Sequence, residues 1–272
     1  MAKRLNEKAI IDFYGQRPMP VSEAATHFNL CNVTVSRVLK RNNVHMYSRQ
    51  ELVLGDLKTS YFENIDTETK AYLLGLFMAD GCVYINEIGS KLFVIQLQVE
   101  DSYMIQFIKD ELGAERKIVI DKRDGSSSIS IINNDFVSNL EKHGVTENKL
   151  TRFIPEIDES LRGHFLRGLL DGDGSITYRK DRKEYDVVFS AHNKVAQQMR
   201  CMLINTLDIN KNSLSFEDNL ETIRWRKSED VVKIIHYLYD DSHIYLHRKH
   251  EKAMSALKKY EVQQANTEES AA

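Results

Sequence analysis

Two segments of this chain, 93 residues apart, spell nearly the same pattern, and that repetition constrains the fold more than any other feature. Residues 72–83 read YLLGLFMADGCV and residues 165–176 read FLRGLLDGDGSI, with Leu, Gly, Leu, Asp and Gly in register at 73/166, 75/168, 76/169, 80/173 and 81/174. The segments downstream of the two copies also correspond. Residues 93–99 and 186–191 have the β-branched and aromatic content of strands, and each leads into an amphipathic helix. The first of these helices should turn Met104, Phe107, Ile108 and Leu112 inward, the second Val195, Met199, Met202, Leu203 and Leu207. A second hairpin turns at Asp124-Gly125 in one copy and Asp218-Asn219 in the other, and closing helices begin near Asp135 and Asp230. Each half is predicted as helix–strand–strand–helix–strand–strand–helix, so the body is a tandem duplication.

Gly75 with Ala79, and Gly168 with Gly172, put two small residues one turn apart on a helix face, which lets a partner backbone approach closely. The two repeated helices should therefore pack on each other. Gly81 and Gly174 fall where a helix ends in a left-handed residue. Asp80 and Asp173 then occupy last turns, where the helix dipole is negative and an acid is unfavourable. About a pseudo-twofold axis the two carboxylates meet at one end and must share a proton or a cation, of which a hard divalent ion is the simpler.

The pair LLGLFMADG and LRGLLDGDG resembles the doubled signature of the LAGLIDADG homing endonucleases, over roughly residues 65–260. The resemblance implies an α+β fold of tandem αββαββα repeats about a pseudo-twofold axis, a monomer that lays a saddle of strands along the major groove of double-stranded DNA. It implies Mg²⁺ (or Mn²⁺) held by Asp80 and Asp173 and by the carbonyls of Ala79 and Gly172, the ions stabilising attacking and leaving oxygens of a phosphodiester. No side-chain nucleophile is implied. Met78 departs from the motif's first acid while Asp171 keeps it, at a position that faces packing in the family. The family also sets a basic residue beside each scissile phosphate. At the end of the inner strand the second copy has Lys194 where the first has Asp101, and Lys149, Arg248 and Lys249 are further candidates among which the sequence does not choose. For the groove, the second half offers Tyr178, Arg179, Lys180, Arg182 and Lys183 on one hairpin and Arg224, Trp225, Arg226 and Lys227 on another. The first half offers the thinner set Tyr84, Asn86, Lys91, Gln96 and Gln98, with Lys117, Lys122 and Arg123 before the next turn.

Ahead of the repeats, residues 1–59 carry nine Lys/Arg against five Asp/Glu, leaving 28 against 35 for the rest. A basic head on an acidic body suggests that nucleic-acid contact begins at the N-terminus. Residues 7–14 have helical spacing, followed by Gly15, Pro18 and Pro20. Two short helices then flank a turn at 30–32, the spacing of a helix-turn-helix. That segment, residues 20–44, looks like the helix-turn-helix of phage repressors and resolvase-type proteins. Its second helix would present Asn32, Thr34, Ser36 and Arg37 to base edges, and Lys40 and Arg41 to phosphate.

The expected organisation is an all-α helix-turn-helix domain over 1–48, a linker over 49–64, repeats over 65–158 and 159–260, and a disordered tail over 261–272. Apolar runs are too short to cross a bilayer, and the N-terminus has no signal-peptide pattern. Three dispersed cysteines form no disulfide or metal framework and suit a reducing, intracellular protein, in cytoplasm or nucleoid and encoded by a phage or mobile element. The function expected is site-specific cleavage of a long asymmetric DNA target. A transcription regulator on a catalytically retired body and an intron-splicing maturase are the alternatives; both acids retained favour cleavage, the acidic body favours the regulator.

Overall fold

The computed structural model describes residues 6–48, 56–209, 213–217 and 220–271. They divide into two compact units, one holding the N-terminal helices with residues 109–117, the other the remainder.

In the first unit α1 (Glu7–Tyr14), α2 (Val21–Phe28) and α3 (Asn32–Arg41) enclose a core of their own, built on Ile10, Tyr14, Met19, Ala24, Ala25, Val35, Val38 and Leu39. Asn29 takes a left-handed conformation (φ 54°), a role for which its short polar side chain is suited, and ends α2. Only three residues then separate α2 from α3.

The second unit begins before the expected repeat boundary. Residues 49–55 of the expected linker lie outside the described residues, and the rest of it is no bare connector. Phe62 is fully buried against Phe77 and Phe136, at ring-centroid distances of 5.4 and 5.8 Å. The first repeat runs α4 (Glu68–Asp80), β1 (Gly81–Ile85), β2 (Lys91–Gln98), α5 (Ser102–Leu112), β3 (Val119–Asp121), β4 (Ser126–Ile132) and α6 (Asn134–Lys142). The second runs α7 (Glu159–Asp173), β5 (Gly174–Arg179), β6 (Glu184–His192), α8 (Asn193–Leu207), β7 (Ser213–Glu217), β8 (Leu220–Trp225) and α9 (Ser228–Tyr239). Each repeat forms an antiparallel four-stranded sheet, in the orders β1-β2-β4-β3 and β5-β6-β8-β7. The Asp124-Gly125 turn is present, with Gly125 at φ 64°. Its counterpart Asp218-Asn219 lies outside the described residues.

Helix α4 is buried from Ala71 through Ala79, which is why its sequence shows no polar stripe: a helix surrounded by protein has no solvent face to mark. It packs on α7 through the small residues. A Cβ on Gly75 would lie 2.1 Å from the carbonyl oxygen of Phe165, and one on Gly168 would lie 2.1 Å from that of Tyr72.

Three expectations need correction. Gly81 and Gly174 are extended, with φ −74° and −102°, and open the first strand of each sheet. Glycine is required there for space, since a Cβ on Gly81 would meet Phe77 O at 2.4 Å and the Phe93 ring at 2.6 Å, and one on Gly174 the Leu170 side chain at 2.5 Å. Phe107 is 37% exposed, and Ile105 takes the inward position beside Met104 and Ile108. After the second repeat a further helix, α10 (His247–Ala271), buries Ala253, Ala256 and Tyr260. It continues to Ala271, across residues expected to form a disordered tail, because a run rich in Ala, Glu and Gln has high intrinsic helix propensity even without a hydrophobic stripe.

Candidate active site

Helices α4 and α7 end side by side. A Cβ on Gly172 would lie 2.4 Å from the Ala79 Cβ and 2.9 Å from Asp80 Oδ2, so the small-residue seam brings the two terminal aspartates together. Two negative helix ends and two carboxylates in one place are mutually unfavourable. Burial first, and the Asp173 charge second, push the Asp80 carboxyl up to about 7, against the pull of Lys149, Lys249 and Arg248. Asp173 shows more of itself to solvent, yet the protein mass behind it also raises its carboxyl, while Lys149, Arg152, His192 and Lys249 hold it down.

Cations cap the helix ends. Lys149 Nζ donates to the Ala79 carbonyl at 3.1 Å. Arg152, 2% exposed, donates through one terminal nitrogen to Met78 O at 2.5 Å and through the other to Gly81 O at 2.8 Å. In the second repeat Lys249 alone spans this range, donating to Leu170 O at 3.3 Å and to Gly174 O. Its burial, with Arg248 beside it, lowers the ammonium to about 8. Asp171, the acid without a counterpart in the first repeat, points away from the pair. Fully buried, it accepts from Tyr72 Oη at 2.9 Å, Tyr239 Oη at 2.7 Å and Leu246 N at 2.7 Å, while Met78 sits in the apolar core.

Of the basic candidates, Lys149 and Lys249 reach the site and Lys194 does not join them. The Lys194 ammonium lies over the Phe153 ring, 5.0 Å from its centroid, and its charge is not among the main influences on either aspartate. Asp101 is buried and pairs with Arg248 of α10 (Nε–Oδ2 2.8 Å), so the position where the second copy has Lys194 holds an ion pair in the first. Arg152 and His192 are site residues that the sequence did not disclose. Both line a cavity of 160 Å³ with Lys149, Asp173 and Ser190. Arg152 stands in an irregular segment with no periodicity or motif, and His192 ends a strand like any other.

The donors that the two motifs offer are all oxygen: the carboxylates of Asp80 and Asp173 and the main-chain carbonyls of the residues before them, Ala79 and Gly172. That set fits a hard divalent ion whose remaining ligands come from water or phosphate. Among the described residues no group of three or more His, Cys, Asp or Glu side chains is arranged to hold a metal.

The sheet faces turned away from the helices carry several of the expected DNA-contacting residues. In the first sheet Tyr84 lies opposite Leu92, Gln96 opposite Ser128 and Gln98 opposite Ser126, all on that outer face. Lys91 alternates to the helix side, where it pairs with Glu141. In the second sheet Arg179 and Arg224, with Arg226 just beyond β8, converge on Asp186, and Lys180 and Arg182 are exposed in the intervening turn. Tyr178 is a correction: strand alternation puts it on the helix side, with the Lys259 ammonium of α10 5.0 Å from its ring centroid. Trp225, on the same side of the sheet, is buried. On α3, Arg37, Lys40 and Arg41 are exposed and Thr34 and Ser36 half-buried; Arg41 pairs with Glu7, and the Thr34 hydroxyl meets Cys31 Sγ at 3.0 Å.

No family model and no curated protein sequence matches the chain. Solved structures do. The LAGLIDADG meganuclease I-AabMI bound to uncleaved DNA superposes with TM-score 0.52 at 15% identity, over 74% of this chain and 93% of that one. The homing endonuclease I-GzeII in complex with DNA target gives 0.53 at 12%, over 72% and 91%. I-SmaMI bound to cleaved DNA gives 0.51 at 13%, over 75% and 92%. With two motif helices packed through glycines and two sheets in matching strand order, the chain has the fold of the LAGLIDADG homing endonucleases, with both repeats in one polypeptide.

Proposed function

We propose that the protein is a site-specific endonuclease of the homing type, which hydrolyses phosphodiesters in a long double-stranded DNA target and depends on Mg²⁺ or Mn²⁺. The observation that carries this reading is the pairing of Asp80 with Asp173 at two abutting helix ends, an arrangement unfavourable by itself and relieved by a divalent cation. The two carboxylates, with the Ala79 and Gly172 carbonyls, would hold that ion, which would supply charge stabilisation to the attacking and leaving oxygens. The chain's own groups do the remainder. Lys149, Lys249 and Arg248 place positive charge beside the phosphates, Arg152 fixes the end of α4, and Asp171 anchors α7 from behind. The outer sheet faces lie along the groove, and α3 adds contacts on one flank. The solved structures of this fold bound to DNA support the partner.

A regulator on a retired nuclease body is the second reading, favoured by the scarcity of cations on the first sheet's outer face. Incubation with Mg²⁺ and DNA from the gene's own neighbourhood separates the two. Discrete cuts that Asp80→Asn and Asp173→Asn each abolish, with binding retained, support the enzyme, and Ca²⁺ should then support binding without turnover. Sequence-specific binding with no cutting in Mg²⁺ or Mn²⁺ supports the regulator.

A further inference from the structure

Among the described residues, the outer face of the second sheet holds one buried acid. Asp186, 1% exposed, stands on the inner strand β6, and side chains from both flanking strands close over it. Its Oδ2 lies 3.1 Å from an Arg224 terminal nitrogen, 3.5 Å from one of Arg179, and 3.9 Å from the Arg226 Nε. Arg179 is steadied further by Asp181, at 3.4 Å from its Nε. A carboxylate facing a polyanion weakens binding in proportion to its charge, so its presence at the centre of a DNA-facing surface calls for an offsetting gain.

The sister repeat gives a control. Ladder registers place Leu92 where β6 has Asp186, Ser130 and Ile132 where β8 and its extension have Arg224 and Arg226, and Asn86 where β5 has Arg179. The acid and its arginines are present together in one sheet and absent together from the other. A core requirement shared by the two sheets would not produce that pattern.

We propose that Asp186 is a positioning residue for base specificity, one that holds Arg179, Arg224 and Arg226 as a preformed array aimed at guanines in one half of the target. A guanidinium has five N–H donors, and an ion pair with Asp186 engages one or two of them. The rest of the planar fork can meet O6 and N7 of guanine, a pairing that depends on orientation. Without the carboxylate, three mutually repelling arginines on long side chains splay toward the phosphates, where any sequence serves equally well. Asp186 thus exchanges some general affinity for discrimination. The inference rests on the DNA-cleavage reading above.

The test compares the full-length wild type with Asp186→Asn, Asp186→Glu, Arg224→Gln and the double variant Asp186→Asn/Arg224→Gln. Each is scored by binding selection from a randomised target library in Ca²⁺, by affinity for scrambled DNA across a salt series, and by thermal melting. For Asp186→Asn, preference at the guanine positions of one half-site should fall roughly tenfold. Affinity for scrambled DNA should rise and its log–log salt slope steepen by about one, with preferences in the other half unchanged. Asp186→Glu should restore part of the preference. The double variant should discriminate at the Arg224 base pair no worse than Arg224→Gln alone. Unchanged guanine preference overturns the proposal, as does a uniform loss of affinity tracking a lower melting temperature. If Asp186→Asn does not fold, Asp186→Glu and Arg224→Gln decide: loss of preference confined to Arg224→Gln, with none for Asp186→Glu on a shifted carboxylate, overturns it. A wild type that enriches no sequence at all fails the endonuclease reading as well, which separates the two failures.

Discussion

The two sheets share a strand order, a register and a helix-side core, yet their outer faces differ in kind. The first presents Tyr84, Gln96 and Gln98, with Val94, Ser128 and Ser130 partly exposed between them, and has no lysine or arginine among its outward strand residues. The second exposes Arg179 and Arg224 around Asp186, with Thr177, Ser190 and Thr222. Half of each strand's side chains build the fold and the other half are free of it, because strand residues alternate between faces. A duplicated chain can therefore keep one backbone while its two halves acquire separate surface chemistry. The site shows a milder version of the same divergence, with Lys149 and Arg152 at the end of α4 but Lys249 alone at the end of α7.

The largest expected effect tests whether the halves cooperate. Asp80→Asn and Asp173→Asn should each lower double-strand cleavage by about three orders of magnitude, the loss of several kcal/mol of charge stabilisation. Time courses on supercoiled plasmid would check this. One variant that still nicks a single strand at the wild-type rate would mean that each half serves its own strand.

The next effect is on stability. In the folded state the Asp80 carboxyl is raised from 3.8 to about 7, so the folded protein holds a proton that the unfolded chain releases. The metal-free protein should therefore lose stability as pH rises from about 4 to 7 and level off above. The full shift corresponds to about 4 kcal/mol, and solvent on one side of the pair reduces this to about 2 kcal/mol. Asp80→Asn should melt roughly 4–8 °C above the wild type at pH 8 in EDTA. The gap should close toward pH 4 and narrow in Mg²⁺, and a gap independent of pH would contradict the crowding of the two acids.

Base reading should separate the sheets at a smaller scale. Arg224→Ala should cost about 1–3 kcal/mol at one guanine, whereas Gln96→Ala should change preferences by less than that. A saturation library of target variants should show one strict and one permissive half-site, and an evenly specified palindrome would break the comparison. The smallest effect belongs to the N-terminal unit, where Lys40→Ala should weaken all sequences alike and reduce the salt slope by about one, while Arg37→Ala alters preference at the flank.

Much of this was legible in the sequence because a duplication repeats its own evidence. The signature Asp and Gly positions, the strands and the closing helices each appear twice at nearly fixed separation. What was not legible depended on three-dimensional neighbours. Whether Gly81 is needed for its dihedral or for space turns on the Phe93 ring, which arrives from the next strand. Arg152 becomes important only because the end of α4 is buried beneath it, and Asp101 and Arg248 are 147 residues apart in sequence. Tyr178 and Lys91 have the aromaticity and charge of groove residues, but strand parity turns both to the helix side. Helix α10 could have been found from the spacing of Ala253, Ala256 and Tyr260, whose small residues give a faint hydrophobic signal.

The glycine seam between α4 and α7 has a consequence for redesign. A Cβ at Gly75 or Gly168 would lie only 2.1 Å from the opposing backbone, so the helices meet main chain to main chain and the separation of Asp80 from Asp173 is set by that contact. On the proposed function, that seam is a ruler laid across the two DNA strands. Exchanging residues on the outer sheet faces would move the cuts to a new address, but the stagger between them is written into the backbone and would travel unchanged to every retargeted variant.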